Sequence, residues 1–407
     1  MNKLNFILQR YDRAIWIRFI GIIITTVTSF AVRPFLAIYL YNKTGNLYMI
    51  GVILGLAPLM GIFTNLIGGS LTDKYGRKPI MVFSLLVQAF SVMGYVFSTT
   101  PWQYCIVSML NGMASSLFFP AANAQIADIV PENQRAEVFA LMHTALNVGA
   151  AIGPMLGLLM LKVNPNLVFI LSGLSLLINC GLVHFFIPET FKPNNAQQHS
   201  QQQERIRLSE HKLLLSFTVF AVPVSLLYAV TESNLPLYLQ QNFSNYLSVM
   251  TGLLSMNGTL VVIMAVWLAK RTENLYTPYV LMAGYVLFAL VGFGYGLGPV
   301  AKSIIILYLA EFIFTVGECI TFPNLQKMLS VMAPPAMRGR YFSIFGIGRE
   351  IARCIGPLFG GTMLVNFSGL ALFWSVSALL LISGLIMFRL TSKLERIALP
   401  VANNISS

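Results

Sequence analysis

Twelve long apolar runs, separated by short polar segments, make up most of the 407-residue chain. An α-helix needs about 20 residues to cross a bilayer, and every run reaches that length. A lone strand would leave its backbone unpaired in lipid, so spans of this kind must be helical. The pattern predicts an all-α membrane protein with twelve transmembrane helices, at 14–41, 48–71, 79–98, 101–126, 137–162, 166–187, 213–240, 246–269, 276–297, 301–330, 339–364 and 368–390.

The longest polar stretch divides the chain into two halves of six runs each, and it is rich in glutamine and basic residues. The first run is too long for a cleavable signal peptide, so we expect it to remain as a membrane span. The sequence therefore predicts a six-helix half at 1–187, a cytoplasmic linker at 188–212, a second six-helix half at 213–391 and a cytoplasmic tail at 392–407.

Composition indicates a lipid environment. Charged residues make up only 10% of the chain, against about 25% in soluble domains, and the mean hydropathy is +0.73. The net charge of +12 resides in short loops rather than on a basic patch, so we expect no nucleic-acid partner. The cysteines lie singly within apolar runs, so neither a metal site nor a disulfide framework is predicted. They are Cys105, Cys180, Cys319 and Cys354.

Basic residues are distributed unequally between the two sides of the predicted membrane domain. The termini and the even-numbered loops carry 18 lysines and arginines, whereas the odd-numbered loops carry 3. Cytoplasmic loops of membrane proteins hold the excess of Lys and Arg. The bias predicts a multi-pass protein of the plasma (inner) membrane with both termini in the cytoplasm.

A set of residues in the first half recurs in the second half at a constant offset of 203. Chance does not align so many positions at one offset, so the halves are predicted to be parallel structural repeats. The residues of the first half are Phe119, Pro120, Pro131, Arg135, Phe139, Gly153 and Pro154, and their counterparts are Phe322, Pro323, Pro334, Arg338, Phe342, Gly356 and Pro357.

A short charged turn, G-S-L-T-D-K-Y-G-R-K-P, connects the second and third runs. It resembles the cytoplasmic loop signature of the major facilitator superfamily, and the resemblance extends over essentially the whole chain. The resemblance implies the major facilitator fold and a role in secondary transport. The residues that match the signature are Gly69, Leu71, Asp73, Gly76, Arg77 and Lys78.

The stretch D-I-V-P-E-N-Q-R, from Asp128 to Arg135, resembles the second cytoplasmic loop element of the same family. The resemblance implies that this element pairs with the signature loop. We therefore expect Asp73, Arg77 and Asp128 to form a charge cluster that latches the cytoplasmic side when the outer side opens. A solvated loop face is the alternative.

The fifth run contains a glycine pattern that resembles the motif of twelve-helix drug:proton antiporters. Small residues let a neighbouring helix pack closely, and a proline kinks the span. Leu158 replaces a glycine of the motif, so small-residue packing without directional meaning is the alternative. Ser108 stands where drug exporters often have a membrane arginine, so a coupling role for that arginine does not transfer. The matching residues are Gly149, Gly153, Pro154 and Gly157.

Acidic residues within the spans are functional candidates, because charge in a membrane is costly. Glu232 and Glu318 lie in stretches that resemble multidrug exporters whose membrane carboxylates handle protons and cationic drugs. Glu311 and Glu318 are seven residues apart and therefore share one helix face. We expect Glu318 to carry the proton, with Glu232 and Glu311 as further candidates. An ion pair between Glu318 and Lys327 is the alternative.

Arginines within the spans suggest a second kind of substrate. If the repeat places Arg33 and Glu232 face to face across a central cavity, Arg33 would keep Glu232 ionised, and Glu232 would then serve binding or gating more than proton carriage. Glu350 and Arg353 can pair along one helix, which leaves Arg349 for a carboxylate or phosphate group. Export of an anionic or zwitterionic metabolite, for example a metal chelator, is therefore the alternative to drug export. The predicted substrate contacts are Arg33, Tyr39, Glu232, Tyr238, Glu318, Arg349 and Arg353.

These features predict a monomeric secondary transporter, not an enzyme, that exports small amphipathic molecules in exchange for protons by alternating access. Its expected partners are the substrate, protons and the lipid bilayer, with no cofactor and no metal. His143 is either a packing residue or a proton relay. Solute:proton symport remains an alternative. A membrane enzyme or receptor would need clustered catalytic residues or metal ligands, whereas the four histidines are scattered.

Overall fold

The structure is a computed structural model that describes residues 12–190, 211–272, 275–334 and 338–403. Within these ranges it contains thirteen α-helices and no β-strand. In chain order they are α1 Arg13–Thr44, α2 Leu47–Tyr75, α3 Arg77–Phe97, α4 Pro101–Ile129, α5 Glu132–Val163, α6 Pro165–Phe186, α7 Lys212–Ser233, α8 Leu235–Asn242, α9 Tyr246–Thr272, α10 Thr277–Val300, α11 Ile304–Met332, α12 Arg338–Asn366 and α13 Gly369–Asn403.

The predicted all-helical membrane fold is confirmed, with two differences in detail. Eleven helices are long and apolar enough to cross a membrane, judged on the described residues. The long helix outside this set is α12, whose middle carries three charged residues, Arg349, Glu350 and Arg353. The prediction of one helix over 213–240 is wrong, because α7 ends at Ser233 and α8 follows with a proline in its first turn. Proline has no backbone N–H group to continue the ladder of helical hydrogen bonds.

The chain forms two compact units, Met1–Thr44 with Leu56–Glu204 and Gly45–Gly55 with Arg205–Ser407. In the first unit, α1 packs against α5 and α6, and α3 packs against α4 and α6. In the second unit, α7 packs against α12 and α13, and α10 packs against α11 and α13. These pairings correspond one to one, in the order that the sequence repeat gives them.

Each helix buries part of its apolar surface and leaves part exposed. The second unit has a core rich in aromatic residues, including Tyr285, Phe288 and Phe373, which are fully buried. Large apolar side chains such as Phe90 and Ile305 are exposed on other faces. Exposed apolar faces of this kind suit a lipid solvent. The backbone N–H and C=O groups need internal hydrogen bonds there, and the helices provide them.

Candidate functional site

The α2–α3 turn consists of one residue, Gly76, whose φ angle is 96°. This backbone conformation is easy only for glycine, because it lacks a Cβ atom. A Cβ atom at this position would also lie 2.6 Å from Oε2 of Glu189. The second glycine of the signature therefore provides both the turn and the space that Glu189 occupies.

Glu189 caps the N-terminus of α3. Its carboxylate accepts hydrogen bonds from the backbone amides of Arg77 and Lys78, at 3.1 Å each. Amides in the first turn of a helix have no intrahelical acceptor, and the positive end of the helix dipole favours an anion. Sequence reasoning missed this residue and placed it in a hydrophilic linker. An acid that directly follows a proline at the end of an apolar run was the only available signal.

The structure brings Arg77 and Asp128 together at the same turn. Arg77 Nε lies 3.4 Å from Asp128 Oδ2, and Arg77 Nη1 donates a hydrogen bond to the carbonyl oxygen of Thr72 at 3.1 Å. The hydroxyl group of Thr190 donates to the same Asp128 oxygen at 2.9 Å. The start of the predicted linker is therefore docked onto the signature loop through two consecutive side chains, those of Glu189 and Thr190.

Some of the predicted latch residues lie outside the part of the chain whose side chains are described. They are Gly69 and Asp73 on α2 and Arg135 on α5. The side chain of His143 on α5, which is not a latch residue, also lies outside this part. The participation of Asp73 and Arg135 in the charge cluster stays a prediction.

The glycines of the fifth run face α1. A Cβ atom at Gly149 would lie 2.6 Å from the side chain of Thr26, and one at Gly153 would lie 2.6 Å from the carbonyl oxygen of Val27. At Gly157, the contact would be 2.5 Å from the carbonyl oxygen of Ala31. Helices α1 and α5 thus approach at a distance that only glycine permits at these three positions.

Two carboxylates are held on α11 in the second unit. The N-terminus of α11 is fixed by Ser303, whose hydroxyl oxygen accepts from the amide of Ile306. Glu311 is 4% exposed, and the hydroxyl group of Tyr295 on α10 donates a short hydrogen bond to its Oε2 atom. Helix α11 packs against α10. The deeper of the two carboxylates is therefore anchored by a neutral donor.

Glu318 lies two turns further along α11 and is half-buried. The side-chain amide of Asn257 on α9 donates to its Oε2 atom at 3.0 Å and to the hydroxyl oxygen of Thr315 at 3.1 Å. Within the described ranges, neither Glu311 nor Glu318 takes part in an ion pair. Sequence reasoning missed Asn257 and Tyr295, which are 61 and 16 residues away from their carboxylate partners.

Glu350 on α12 contacts two arginines rather than one. Arg353 Nη1 lies 3.5 Å from one carboxylate oxygen, and Arg349 Nε lies 3.4 Å from the other. The expectation that Arg349 is left without an acid partner is therefore wrong, because the carboxylate has two oxygens and serves both neighbours. Arg349 remains largely exposed, with 67% of its side chain accessible.

The remaining predicted substrate residues are placed on both units. Arg33 is exposed, with its guanidinium 5.5 Å from the ring centre of Phe30, and Glu232 is half-buried near the end of α7. They belong to different units, and the pairing of Arg33 with Glu232 stays a prediction.

The two predicted substrate tyrosines are buried and have internal hydrogen-bond partners. The Tyr39 hydroxyl group donates to the carbonyl oxygen of Tyr95 at 3.2 Å, and the Tyr238 hydroxyl group donates to that of Gly296 at 3.0 Å. Each is only 5% exposed. This geometry favours a packing role for both residues over contact with substrate.

The fold and the repeat define a class of membrane transporter, and sequence comparison identifies the family. The family model of the Major Facilitator Superfamily matches residues 18–357 and 272–402. The chain therefore belongs to the major facilitator superfamily, whose members are transporters rather than enzymes.

Relatives in bacteria agree with this assignment. The chain is 32% identical to the uncharacterized MFS-type transporter YhjO of Bacillus subtilis (strain 168), over 97% of each protein. It is 26% identical to a Na(+), Li(+), K(+)/H(+) antiporter of Planococcus maritimus, over 86% of this chain and 89% of that protein. It is 25% identical to the multidrug resistance protein MdtG of Escherichia coli (strain SMS-3-5 / SECEC), over 97% of each protein.

Proposed function

We propose that this transporter exports small amphipathic molecules in exchange for protons, by alternating access. The observation that carries the proposal is the pair of carboxylates on α11, Glu311 and Glu318, each held by a neutral hydrogen-bond donor. We assign proton carriage to these two residues, with Glu318 as the principal site and Glu232 as a further candidate.

A carboxylate in this setting is suited to proton exchange. Ionised groups within a membrane span are costly and mark proton relays and substrate paths. The donors of Tyr295 and Asn257 orient the two carboxylates without supplying a positive charge. Protonation therefore removes a charge that no described base compensates, and deprotonation restores it when water or substrate arrives.

The relatives support export coupled to an ion gradient. One similar protein is named as a cation/proton antiporter and another as a multidrug resistance protein. The glycine contacts between α1 and α5 agree with the resemblance to drug:proton antiporters. We further propose a monomer in the bacterial plasma membrane with both termini in the cytoplasm, and a latch at the α2–α3 turn that includes Arg77 and Asp128.

The test is transport in inside-out membrane vesicles with a panel of amphipathic compounds that includes ethidium. We expect uptake into the vesicles that a proton ionophore abolishes, and we expect Glu318→Gln to reduce this uptake at least tenfold. Glu395→Gln is the matched control, because Glu395 lies in the C-terminal part of α13, beyond the last predicted span, where the hydroxyl group of Thr277 donates to it.

The transport assay distinguishes proton coupling from the role of the two carboxylates. Uptake that persists after collapse of the proton gradient would exclude proton coupling. Gradient-driven uptake that survives both Glu318→Gln and Glu311→Gln would remove the two carboxylates from the mechanism and leave export by the chain intact.

Export of an anionic or zwitterionic metabolite is the second candidate function. Arg349 and Arg353 share one carboxylate, so this part of α12 keeps a net positive charge. Arg33 is an exposed base in the first unit. We expect Arg349→Gln and Arg33→Gln to lower export of carboxylate-bearing compounds while sparing ethidium, if this candidate is correct. Equal effects on both kinds of compound would argue against it.

A further inference from the structure

The ring of Tyr228 on α7 packs against the stretch of α11 that carries both carboxylates. Its ring centre lies 4.6 Å from that of Phe314 and 5.6 Å from that of Phe322. Phe314 stands three residues after Glu311 and four residues before Glu318. Residues with these spacings share one face of a helix. Tyr228 is therefore placed against the segment between the two acids.

The hydroxyl group of Tyr228 is buried and has no aligned hydrogen bond with any described atom. It lies within electrostatic reach of both Glu318 and Glu311, and it is adjacent to the Glu318 carboxylate. Buried tyrosine hydroxyls usually find a hydrogen-bond partner, and the Glu318 carboxylate is the group placed to provide one here. A hydroxyl group that serves two acceptors in turn accounts for the lack of one fixed, aligned bond.

The carboxylates each leave one oxygen available. The described hydrogen bonds engage Oε2 of Glu311, from Tyr295, and Oε2 of Glu318, from Asn257. The Oε1 atom of each carboxylate takes part in no described hydrogen bond. Tyr295 and Asn257 thus hold the two groups in place and leave an oxygen of each for a third donor.

We propose that Tyr228 is a proton relay between Glu318 and Glu311, an inference that rests on the proposed proton coupling. In the transfer step, the Tyr228 oxygen accepts the proton of the Glu318 carboxylic acid while its own proton passes to Glu311. One O–H bond breaks at Glu318 and one forms at Glu311, and the tyrosine stays neutral. Rotation of the hydroxyl group then resets the relay, and the reverse step returns the proton.

The two ends of the relay differ in accessibility. Glu318 is half-buried, whereas Glu311 is almost fully buried. We assign exchange with water to Glu318 and storage of the proton to Glu311. Phe288, Phe314 and Phe322 pack against the tyrosine ring, so the Tyr228 hydroxyl group is a polar group within an apolar aromatic cluster, and we assign it to the path between the two acids.

The test is a pH-jump experiment on the purified protein in lipid vesicles, read by infrared difference spectroscopy of protonated carboxyl groups. The bands of Glu311 and Glu318 are assigned with Glu311→Gln and Glu318→Gln. We expect Tyr228→Phe to slow the appearance of the Glu311 band at least tenfold while the Glu318 band appears at the wild-type rate. The phenylalanine keeps the ring contacts and removes only the hydroxyl group.

Tyr285→Phe is the matched control, because it removes another hydroxyl group from the same unit, one that donates to the carbonyl oxygen of Phe220 at 2.7 Å. We expect wild-type rates in this variant. Glu318→Gln should also slow the Glu311 band, and Tyr228→Phe should add nothing to that effect. If Tyr228→Phe is too unstable to purify, Tyr228→Trp, which also lacks the hydroxyl group, replaces it in the comparison with the wild-type protein and with Glu318→Gln.

Failure of the relay and failure of the proposed function give different results. Two carboxyl bands that titrate at wild-type rates in Tyr228→Phe would overturn the relay alone. The absence of any titrating carboxyl band at Glu311 and Glu318 in the wild-type protein would overturn the proton-coupling proposal as well.

Discussion

The carboxylate of Glu189 accepts a hydrogen bond from the backbone amide of Arg77 at 3.1 Å, although the two residues are 112 positions apart in the chain. The contact joins the segment that follows α6 to the first turn of α3. It places a negative charge where the helix dipole is positive. The signature turn is therefore held by a residue outside the signature, as well as by its own arginine.

Removal of this cap should loosen the first turn of α3. Loss of a capping side chain costs about 1 kcal/mol, which corresponds to roughly a fivefold change in a local opening equilibrium. We expect Glu189→Ala to accelerate hydrogen exchange at the amides of Arg77 and Lys78 by about this factor, and Glu189→Gln to have a smaller effect. Hydrogen exchange followed by mass spectrometry measures the change.

The control for this prediction is Glu395→Gln, which removes a carboxylate from the second unit. It should leave exchange in the first turn of α3 unchanged. Wild-type exchange at Arg77 and Lys78 in Glu189→Ala would show that the hydrogen bonds do not hold the turn.

Gly76→Ala should disturb the same turn by a different route. A positive φ angle strains an alanine, and the added Cβ atom would lie 2.6 Å from Glu189 Oε2. Strained backbone positions cost about 1–3 kcal/mol. We expect a lower midpoint of thermal unfolding in detergent and faster exchange at Arg77, because the cap is displaced.

Gly45 offers a matched comparison, because it also has a positive φ angle, 64°, but nothing lies within 4 Å of a Cβ atom there. Gly45→Ala should cost backbone strain alone and leave exchange at Arg77 unaffected. If the two alanine variants behave alike, displacement of Glu189 is not the cause.

The turn glycine Gly76 lies within a recognisable motif, whereas its neighbour Glu189 is distant in the chain. This contrast shows which features the sequence can predict and which it cannot. Apolar runs and a constant offset are local or periodic signals, so they predict the helices and the repeated pairings. The break at Asn234 and the caps depend on particular backbone groups. Asn257 meets Glu318 only because α9 packs on α11, and no spacing in the sequence encodes that contact. Candidate acids were therefore predictable, whereas their partners were not.

The glycine contacts between α1 and α5 should not tolerate even one methyl group. A Cβ atom at Gly153 would lie 2.6 Å from the Val27 carbonyl oxygen and from the side chain of Phe30. Overpacking of a well-packed interface typically costs 1–3 kcal/mol. We expect Gly153→Ala to lower the midpoint of thermal unfolding in detergent and to reduce transport.

Gly181 on α6 is the control for Gly153, since a Cβ atom there would meet nothing within 4 Å. Alanine is favoured over glycine within a helix by about 1 kcal/mol, so Gly181→Ala should be neutral or stabilising. Equal stability of Gly153→Ala and Gly181→Ala would contradict the close approach of α1 and α5.

Tyr238 distinguishes a structural tyrosine from one that contacts substrate. Its buried hydroxyl group donates to the carbonyl oxygen of Gly296, and its ring lies 6.2 Å from that of Phe373. A buried hydrogen bond contributes about 1 kcal/mol. We expect Tyr238→Phe to lower the unfolding midpoint while leaving the range of exported compounds unchanged. Tyr279→Phe, at an exposed position on α10, should change neither property. A changed range of compounds at wild-type stability in Tyr238→Phe would instead place this residue in the substrate site.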